Sequence, residues 1–484
     1  MNLKKRNIII AIMVAMFLAA FEGTVVTTAM PTITKDLSGF ELISWVFSLY
    51  LLTSAISTPI YGKLADLYGR KNVLSVGIVI FLVGSALCGL SQNMYQLIVF
   101  RGLQGIGAGS ILTVTFTIVG DIFELGERAK VQGWLSTVWG IASLVGPFIG
   151  GFLIDNLSWN WIFYINVPFG ILSIILLQKN LHESFEKKKH KIDYPGIGIL
   201  TFAIVAFLYG VLSGGENYHW SSPSVILCFV LTAIFLIIFY FLEKKAVEPI
   251  VPFDIFTRES TIVNSISFLV AGILMGVEAY MPIYIQNVLG FRATISGLTM
   301  APMSIAWITS AFILSKAIPK YGEKLVIALS IAILVVSSGL LPTLSDDASL
   351  LLVLLYIFVM GFGFGGCFTT LTIMVQSSVN YHRRGAATAA NALVRTLGQT
   401  IGVSIFGSIL NRNIVEYFDA LGIAEVDPGK LYTVSSMTDK ISPEHIRLSV
   451  YSGVHAVFMS LIFIMILCLL LSFMLSNRRE EHTT

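Results

Sequence analysis

Four charged residues stand where a chain this apolar has little room for them. Glu22, Arg101, Glu278 and Arg395 each lie inside a run long enough to cross a bilayer. A charge in hydrocarbon is costly, so such a residue faces a partner or a water-filled cavity. A carboxyl there can take up and release a proton as its surroundings change, which is the property a proton-coupling group needs. Glu22 and Glu278 are the two such acids. The plainer alternative for Glu22 is a static protonated acid bonded to a neighbouring helix. Glu278 precedes Ala279-Tyr280-Met281-Pro282. With Tyr280 and Tyr284 it would offer an anionic, aromatic wall to an organic cation. Lying near a helix end, it is equally readable as an interfacial residue. Arg101 keeps its charge and needs an acceptor. It opens Arg101-Gly102-Leu103-Gln104-Gly105-Ile106-Gly107-Ala108-Gly109, whose glycines allow close backbone packing. Arg395 shares a run with Asn391 and Gln399 but with no acid, and Glu278 or Glu22 are its possible acceptors. Phe17, Phe21, Trp139, Met275 and Trp307 are cavity-lining candidates, although packing or lipid contact explains each one alone.

Other chemistries find no support. No G-x-x-x-x-G-K-[ST] stretch is present, so energy does not come from a nucleotide site in this chain. Gly361-Phe362-Gly363-Phe364-Gly365-Gly366 lies in an apolar run and reads as helix packing. Cys88, Cys228, Cys367 and Cys468 have unrelated spacings in apolar surroundings, which argues against disulfides and metal sites. The net charge of +3 gives no footprint for nucleic acid.

The elements that must position these residues are spanning helices. Of 484 residues 55% are hydrophobic and only 12% charged, about half the charge of a soluble domain. Fourteen runs reach the roughly 20 residues a crossing requires: 8–30, 43–61, 73–91, 95–118, 130–153, 161–178, 195–213, 224–242, 261–283, 294–315, 325–342, 349–375, 386–410 and 449–476. The basic start, Lys4-Lys5-Arg6, suggests a signal peptide, but the apolar run continues to about Met30, and cleavage is not expected. With the N-terminus inside, only Lys35, Arg292, Arg412, Lys430, Lys440 and Arg447 of the loop cations fall outside. That bias supports an even count with both termini cytoplasmic. The longest polar connection, 411–447, reads as a mostly exposed outside loop.

A short charged stretch, Gly62-Lys63-Leu64-Ala65-Asp66-Leu67-Tyr68-Gly69-Arg70-Lys71, joins the second and third runs. Gly62 and Gly69 permit a tight turn. Asp66, near Arg70, can cap a helix or pair in one conformation only, or be a plain surface ion pair. Ser315-Lys316-Ala317-Ile318-Pro319-Lys320-Tyr321-Gly322-Glu323-Lys324 is a degenerate second copy. It follows the tenth run rather than the eighth, so the runs at 195–213 and 224–242 are an inserted pair. The Lys187-Lys188-Lys189-His190-Lys191 loop leads into them.

The first stretch fills every position of G-x-L-x-D-x-x-G-R-K and resembles the loop signature of the major facilitator superfamily. Phe21-Glu22-Gly23-Thr24-Val25-Val26-Thr27-Thr28-Ala29-Met30-Pro31 resembles the first-helix signature of its fourteen-helix drug:proton antiporters, with glutamate where aspartate is usual. Trp139-Gly140 through Gly146-Pro147 to Gly150-Gly151 resembles their fifth-helix antiporter motif, which the family associates with export. Trp159-Asn160-Trp161 resembles a further signature that usually carries arginine between the tryptophans. All of its aromatics suit the outer interface belt.

The resemblance implies an all-α polytopic fold. Six-helix bundles at 1–180 and 259–484 would flank a linker and extra helix pair at 181–258. It implies a proton-coupled antiporter of the cell membrane, not an enzyme, that exports amphipathic cationic or zwitterionic drugs by alternating access. Glu22, Arg101 and Glu278 would handle protons. Gly62, Asp66, Gly69 and Arg70 would form a conformational latch, and Gly140, Gly146, Pro147, Gly150 and Gly151 the antiporter motif. Glu22, Glu278, Phe17, Phe21, Trp139, Tyr280, Trp307, Asn391 and Arg395 would meet substrate. The proton gradient would replace any cofactor, the bilayer and small organic molecules would be the partners, and a monomer is expected. A narrow exporter of one metabolite, antibiotic or lipid and a non-transporting receptor or scaffold are the rival readings.

Overall fold

The computed structural model describes residues 3–122, 125–181, 193–216, 221–246, 253–379, 384–423, 426–428, 431 and 442–475. The Lys187–Lys191 loop and the tail after Leu475 lie outside them, as do the side chains of Lys63 and Asp66.

Long apolar runs leave the backbone no water to bond, so each closes its hydrogen bonds within a helix. The helices are α1 (Leu3–Leu37), α2 (Ile43–Tyr68), α3 (Arg70–Gly89), α4 (Met94–Ile122) and α5 (Leu125–Asn156). Next come α6 (Trp161–Asn180), interrupted at Ile165, α7 (Tyr194–Glu216) and α8 (Pro223–Lys245). Then follow α9 (Arg258–Ile283), α10 (Ala293–Tyr321), α11 (Glu323–Leu340), α12 (Leu350–Ser377), α13 (Arg384–Ala420) and α14 (Pro443–Phe473). Among the described residues thirteen are long and apolar enough to cross a membrane, while the apolar part of α7 is the shorter Pro195–Val211. Hydroxyls cap three of the starts: Thr257, Ser349 and Ser442 accept from the backbone N–H three residues on.

The chain forms two compact units. One comprises Met1–Ile250 with Arg292–Gly297 and Gly429–Thr433; the other comprises Val251–Phe291, Leu298–Pro428 and Val434–Thr484. In the first, α4 packs between α2 and α3, α1 lies along α5 and α6, and α7 pairs with α8. Its core gathers Ile12, Met16, Ile78, Phe81, Ile111, Leu135 and Leu177 from α1, α3, α4, α5 and α6. In the second unit, α9 packs on α13 and α14, and α11 on α12.

The α2–α3 junction is tighter than expected. Gly62 lies inside α2, and the turn is Gly69 alone, at φ 89° with its N–H bonded to the Ala65 carbonyl at 3.1 Å. A positive φ is open to glycine at no steric cost. The degenerate copy is built the same way: Gly322, at φ 84°, separates α10 from α11 and bonds the Ile318 carbonyl at 2.8 Å. The expected outside loop from residue 411 is also shorter. Helix α13 runs on to Ala420 because Leu410, Ile414 and Phe418 continue its apolar stripe and are fully buried. The stretch 432–441 lies outside the described residues.

Candidate functional site

Glycines bring α4 into backbone contact with its neighbours. Gly105 faces the Tyr50 carbonyl and the Thr53 hydroxyl of α2, Gly109 faces Ser57, and Gly107 lies against the backbone of Phe81 in α3. A Cβ at any of these positions would collide, so the small residues fix the helix spacing. That spacing fixes where the Arg101 side chain can go.

Arg101 points at Glu22. Its Nη1 donates to Glu22 Oε1 at 2.6 Å and to Gln104 Oε1 at 2.8 Å, and its guanidinium lies 3.9 Å from the centre of the Tyr50 ring. The other carboxylate oxygen, Oε2, accepts from Asn166 Nδ2 in α6 at 2.6 Å. Asn166 also donates to Ser85 Oγ at 3.0 Å, and Ser85 donates to the Phe163 carbonyl at 2.8 Å. Five helices therefore contribute to one network: α4 and α6 bond the α1 carboxylate directly, while α2 meets the guanidinium and α3 holds Asn166. Glu22 is 0% and Arg101 1% exposed, so the pair is sealed from water. Charge-assisted bonds this short are strong, and their loss would leave a buried charge unmatched. The network is not complete: Arg101 Nε, Gln104 Nε2 and Asn166 Oδ1 are buried without a partner among the described residues. Buried polar atoms are seldom left so.

Both charged residues of this centre are readable in the sequence as needing partners. Their pairing is not, because 79 residues separate them. Tyr50, Ser85, Gln104 and Asn166 complete the site, and only their polarity within apolar runs signals them.

The fifth-helix motif touches the same turn of α1. Gly146 lies against Thr24 and Gly150 against Val25, and Thr24 Oγ1 donates to the Ala142 carbonyl at 3.3 Å. Gly151 and Pro147 are buried and Gly140 is half-buried. Phe17 stacks on Phe21 at 5.6 Å, while Trp139 is exposed. Arg70 Nη1 reaches the Ala65 carbonyl at 3.5 Å, on the last turn of α2 that also carries Asp66. Of the expected interfacial tryptophans only Trp161 is exposed. Trp159 is buried and donates to Asp36 Oδ2 at 2.6 Å. Asn160, standing where the resemblance expects arginine, donates to the Gly89 carbonyl at 2.7 Å and so caps the end of α3.

The second unit differs from the sequence expectation. Arg395 finds its acceptors in α12, not in an acid: Nη2 donates to Thr372 Oγ1 at 2.9 Å and to the Phe368 carbonyl at 3.4 Å. Tyr280 and Tyr284 do not join Glu278 in a wall. Tyr280, two residues on and so more than half a turn round the helix, donates to the Val403 carbonyl at 2.9 Å, and Tyr284, six residues on, donates to the Ser345 carbonyl at 2.5 Å. Glu278 is partly exposed and has no hydrogen-bond or ion-pair partner among the described residues. Asn391 is a clamp between α13 and α9, donating to Asn264 Oδ1 at 2.8 Å and Ser267 Oγ at 2.9 Å. Met275 is buried, and Trp307 stacks on Phe368 at 5.1 Å.

The Major Facilitator Superfamily model matches residues 12–403. The chain is 36% identical to the multidrug transporter protein MdtP of Bacillus subtilis, over 86% of this chain and 79% of that one. It is 32% identical to the multidrug efflux pump SdrM of Staphylococcus aureus, over 84% and 90% of the two chains. Among solved structures, a bacterial homologue of the human lysosomal transporter Spinster, inward-facing and unoccupied, gives a TM-score of 0.69 at 14% identity, covering 98% of each chain. A D-xylose-proton symporter gives 0.61 at 13% identity, over 95% of this chain and 96% of that one. At such identities the structural likeness bears on the fold alone.

Proposed function

The chain belongs to the major facilitator superfamily, and from that premise we propose that it is a proton-coupled antiporter exporting amphipathic cationic or zwitterionic drugs across the cell membrane. One observation carries the reading: a sealed carboxylate, Glu22, held by Arg101 at 2.6 Å and Asn166 at 2.6 Å. The named relatives, multidrug transporters of bacteria, support the drug-export part.

A proton arriving at Glu22 removes the charge that holds Arg101. The guanidinium then falls back on Gln104 and the Tyr50 ring, its remaining partners. The α1 turn after Glu22 is packed on Gly146 and Gly150 of α5. A change at Glu22 therefore bears directly on the glycine–proline helix. Proton entry and drug exit are coupled if the two states of this pair favour different conformations. The driving force suffices, since each proton crossing 100 mV supplies about 2.3 kcal/mol. In this reading Gly62, Asp66, Gly69 and Arg70 steady one conformation, both termini are cytoplasmic, and the protein acts as a monomer. Residues 1–180 and 259–484 are the working bundles, with 181–258 inserted between them. Glu278 is a second proton-handling acid.

The test is drug movement in proteoliposomes under an imposed pH gradient. Ethidium exchange that follows the gradient and stops with a protonophore is expected. Exchange indifferent to the gradient, or none with any amphipathic cation or zwitterion, would overturn the proposal.

A further inference from the structure

The second unit holds a guanidinium that no acid among the described residues compensates. Arg395 lies within the spanning part of α13, and among the described residues it has no ion-pair partner. Its contacts are one hydroxyl, one carbonyl and the Phe368 ring, 4.8 Å from the guanidinium carbon, and its Nε is buried without an acceptor. Arg101, in a comparable apolar helix, has a carboxylate at 2.6 Å. Glu278 cannot serve Arg395. Helices α9 and α13 run side by side, with Asn264 and Ser267 level with Asn391, Gly272 beside Gly398 and Gly402, and Gly276 beside Phe406. Glu278 thus sits about ten residues further along, roughly 15 Å away at the helical rise.

Beside Arg395 is a flat apolar surface. Phe368 stacks on Trp307 with centroids 5.1 Å apart and planes 11° apart, and Phe364 lies 6.0 Å from Trp307. Gly361 and Gly365 of α12 rest on the backbone of Met303 and Trp307, which holds α12 close against α10 beneath the rings. Phe364 and Phe368 are buried, whereas Trp307, Thr372, Arg395 and Gln399 are partly exposed. Gln399 lies one turn beyond Arg395 on the same face. A permanent cation in a spanning helix does not face lipid, so the exposed edge of this group faces water.

A charged fork with an unused N–H, beside a rigid ring stack and a hydroxyl, fits an anion attached to a flat ring. The carboxylate would pair with the guanidinium and the ring would lie along Trp307. We propose that Arg395, Thr372 and Trp307 form a recognition site for planar aromatic carboxylates, zwitterions included. This deepens the export reading and rests on it for the direction of movement. The same charge disfavours simple organic cations at this place.

The test is binding to the purified full-length protein of 2-naphthoate, its methyl ester and ethidium. In the native chain the acid should bind at least tenfold more tightly than the ester. Arg395→Gln should abolish that preference and strengthen ethidium binding, because the repelling charge is gone. Arg395→Lys should keep part of the preference as a point charge. Equal binding of acid and ester by the native chain overturns the proposal, and this comparison needs no variant to fold. So does an equal weakening of all three ligands in Arg395→Gln, which marks a packing role. Ethidium transport is read separately. A native chain that exports ethidium without preferring the acid loses only the carboxylate site. One that prefers the acid but moves nothing loses only the export reading.

Discussion

Replacing Arg101 by methionine should be far more damaging alone than together with a change at Glu22. The substitution removes the bond to Glu22 at 2.6 Å, the bond to Gln104 at 2.8 Å and the ring contact to Tyr50 at 3.9 Å. A hydrogen bond to a charged group is worth about 1.5–3 kcal/mol net, and a desolvated cation–π contact about 2 kcal/mol. Against these stands the relief of no longer burying a guanidinium whose Nε is unpartnered. Removing one member of a buried pair typically costs about 3–5 kcal/mol, chiefly because the other charge is left behind. Arg101→Met is therefore expected near that range. In the double variant Glu22→Gln/Arg101→Met no charge remains, and the introduced amide oxygen still accepts from Asn166. Its loss should fall to about 1–2 kcal/mol, close to that of one or two neutral hydrogen bonds. The difference, on the order of 2–3 kcal/mol, is the part of the coupling between the two sites that Arg101→Met reveals, and the loss in Glu22→Gln alone adds to it. Denaturant-induced unfolding of the purified native chain, both single variants and the double variant measures it. A double variant that loses as much as the sum of the singles would refute the reasoning.

Three further outcomes follow from the packing and the network. Gly107→Ala should lose about 1–3 kcal/mol by the same unfolding assay, because its Cβ would strike the Phe81 backbone, whereas Gly339→Ala, with open space around it, should be neutral or gain up to ~1 kcal/mol. Asn166→Leu removes the donor to Glu22 Oε2 and should destabilise by about 1.5–3 kcal/mol while altering the pH profile of drug exchange. Glu416→Gln, which breaks an exposed Arg412–Glu416 pair, should change the unfolding midpoint by less than about 0.5 kcal/mol equivalent.

The sequence shows the helices well because a bilayer leaves the backbone one way to satisfy itself. It shows the two glycine junctions, since Gly69 and Gly322 keep their places in a repeated charged stretch. It shows Glu22 and Arg101 as residues in need of partners because a lone charge in an apolar run is conspicuous. What it hides is choice among partners. Arg395 was open to either acid, yet it settles on Thr372, a carbonyl and a ring, none of which announces itself in an apolar run. Tyr280 and Tyr284, near Glu278 in the chain, turn away from it because helical direction, not chain proximity, decides who meets. The length of α13 was hidden for a related reason. Its polar residues after Leu410 mask a stripe, Ile414 and Phe418, that is buried only once the bundle exists.

The most direct measurement is proton movement in proteoliposomes on adding ethidium, for the native chain and for Glu22→Gln. Glutamine keeps the size and an acceptor for Arg101 but cannot carry a proton. The native chain is expected to exchange protons for drug and the variant to lose that exchange while still binding ethidium. Equal proton exchange by both would contradict Glu22 as the coupling group.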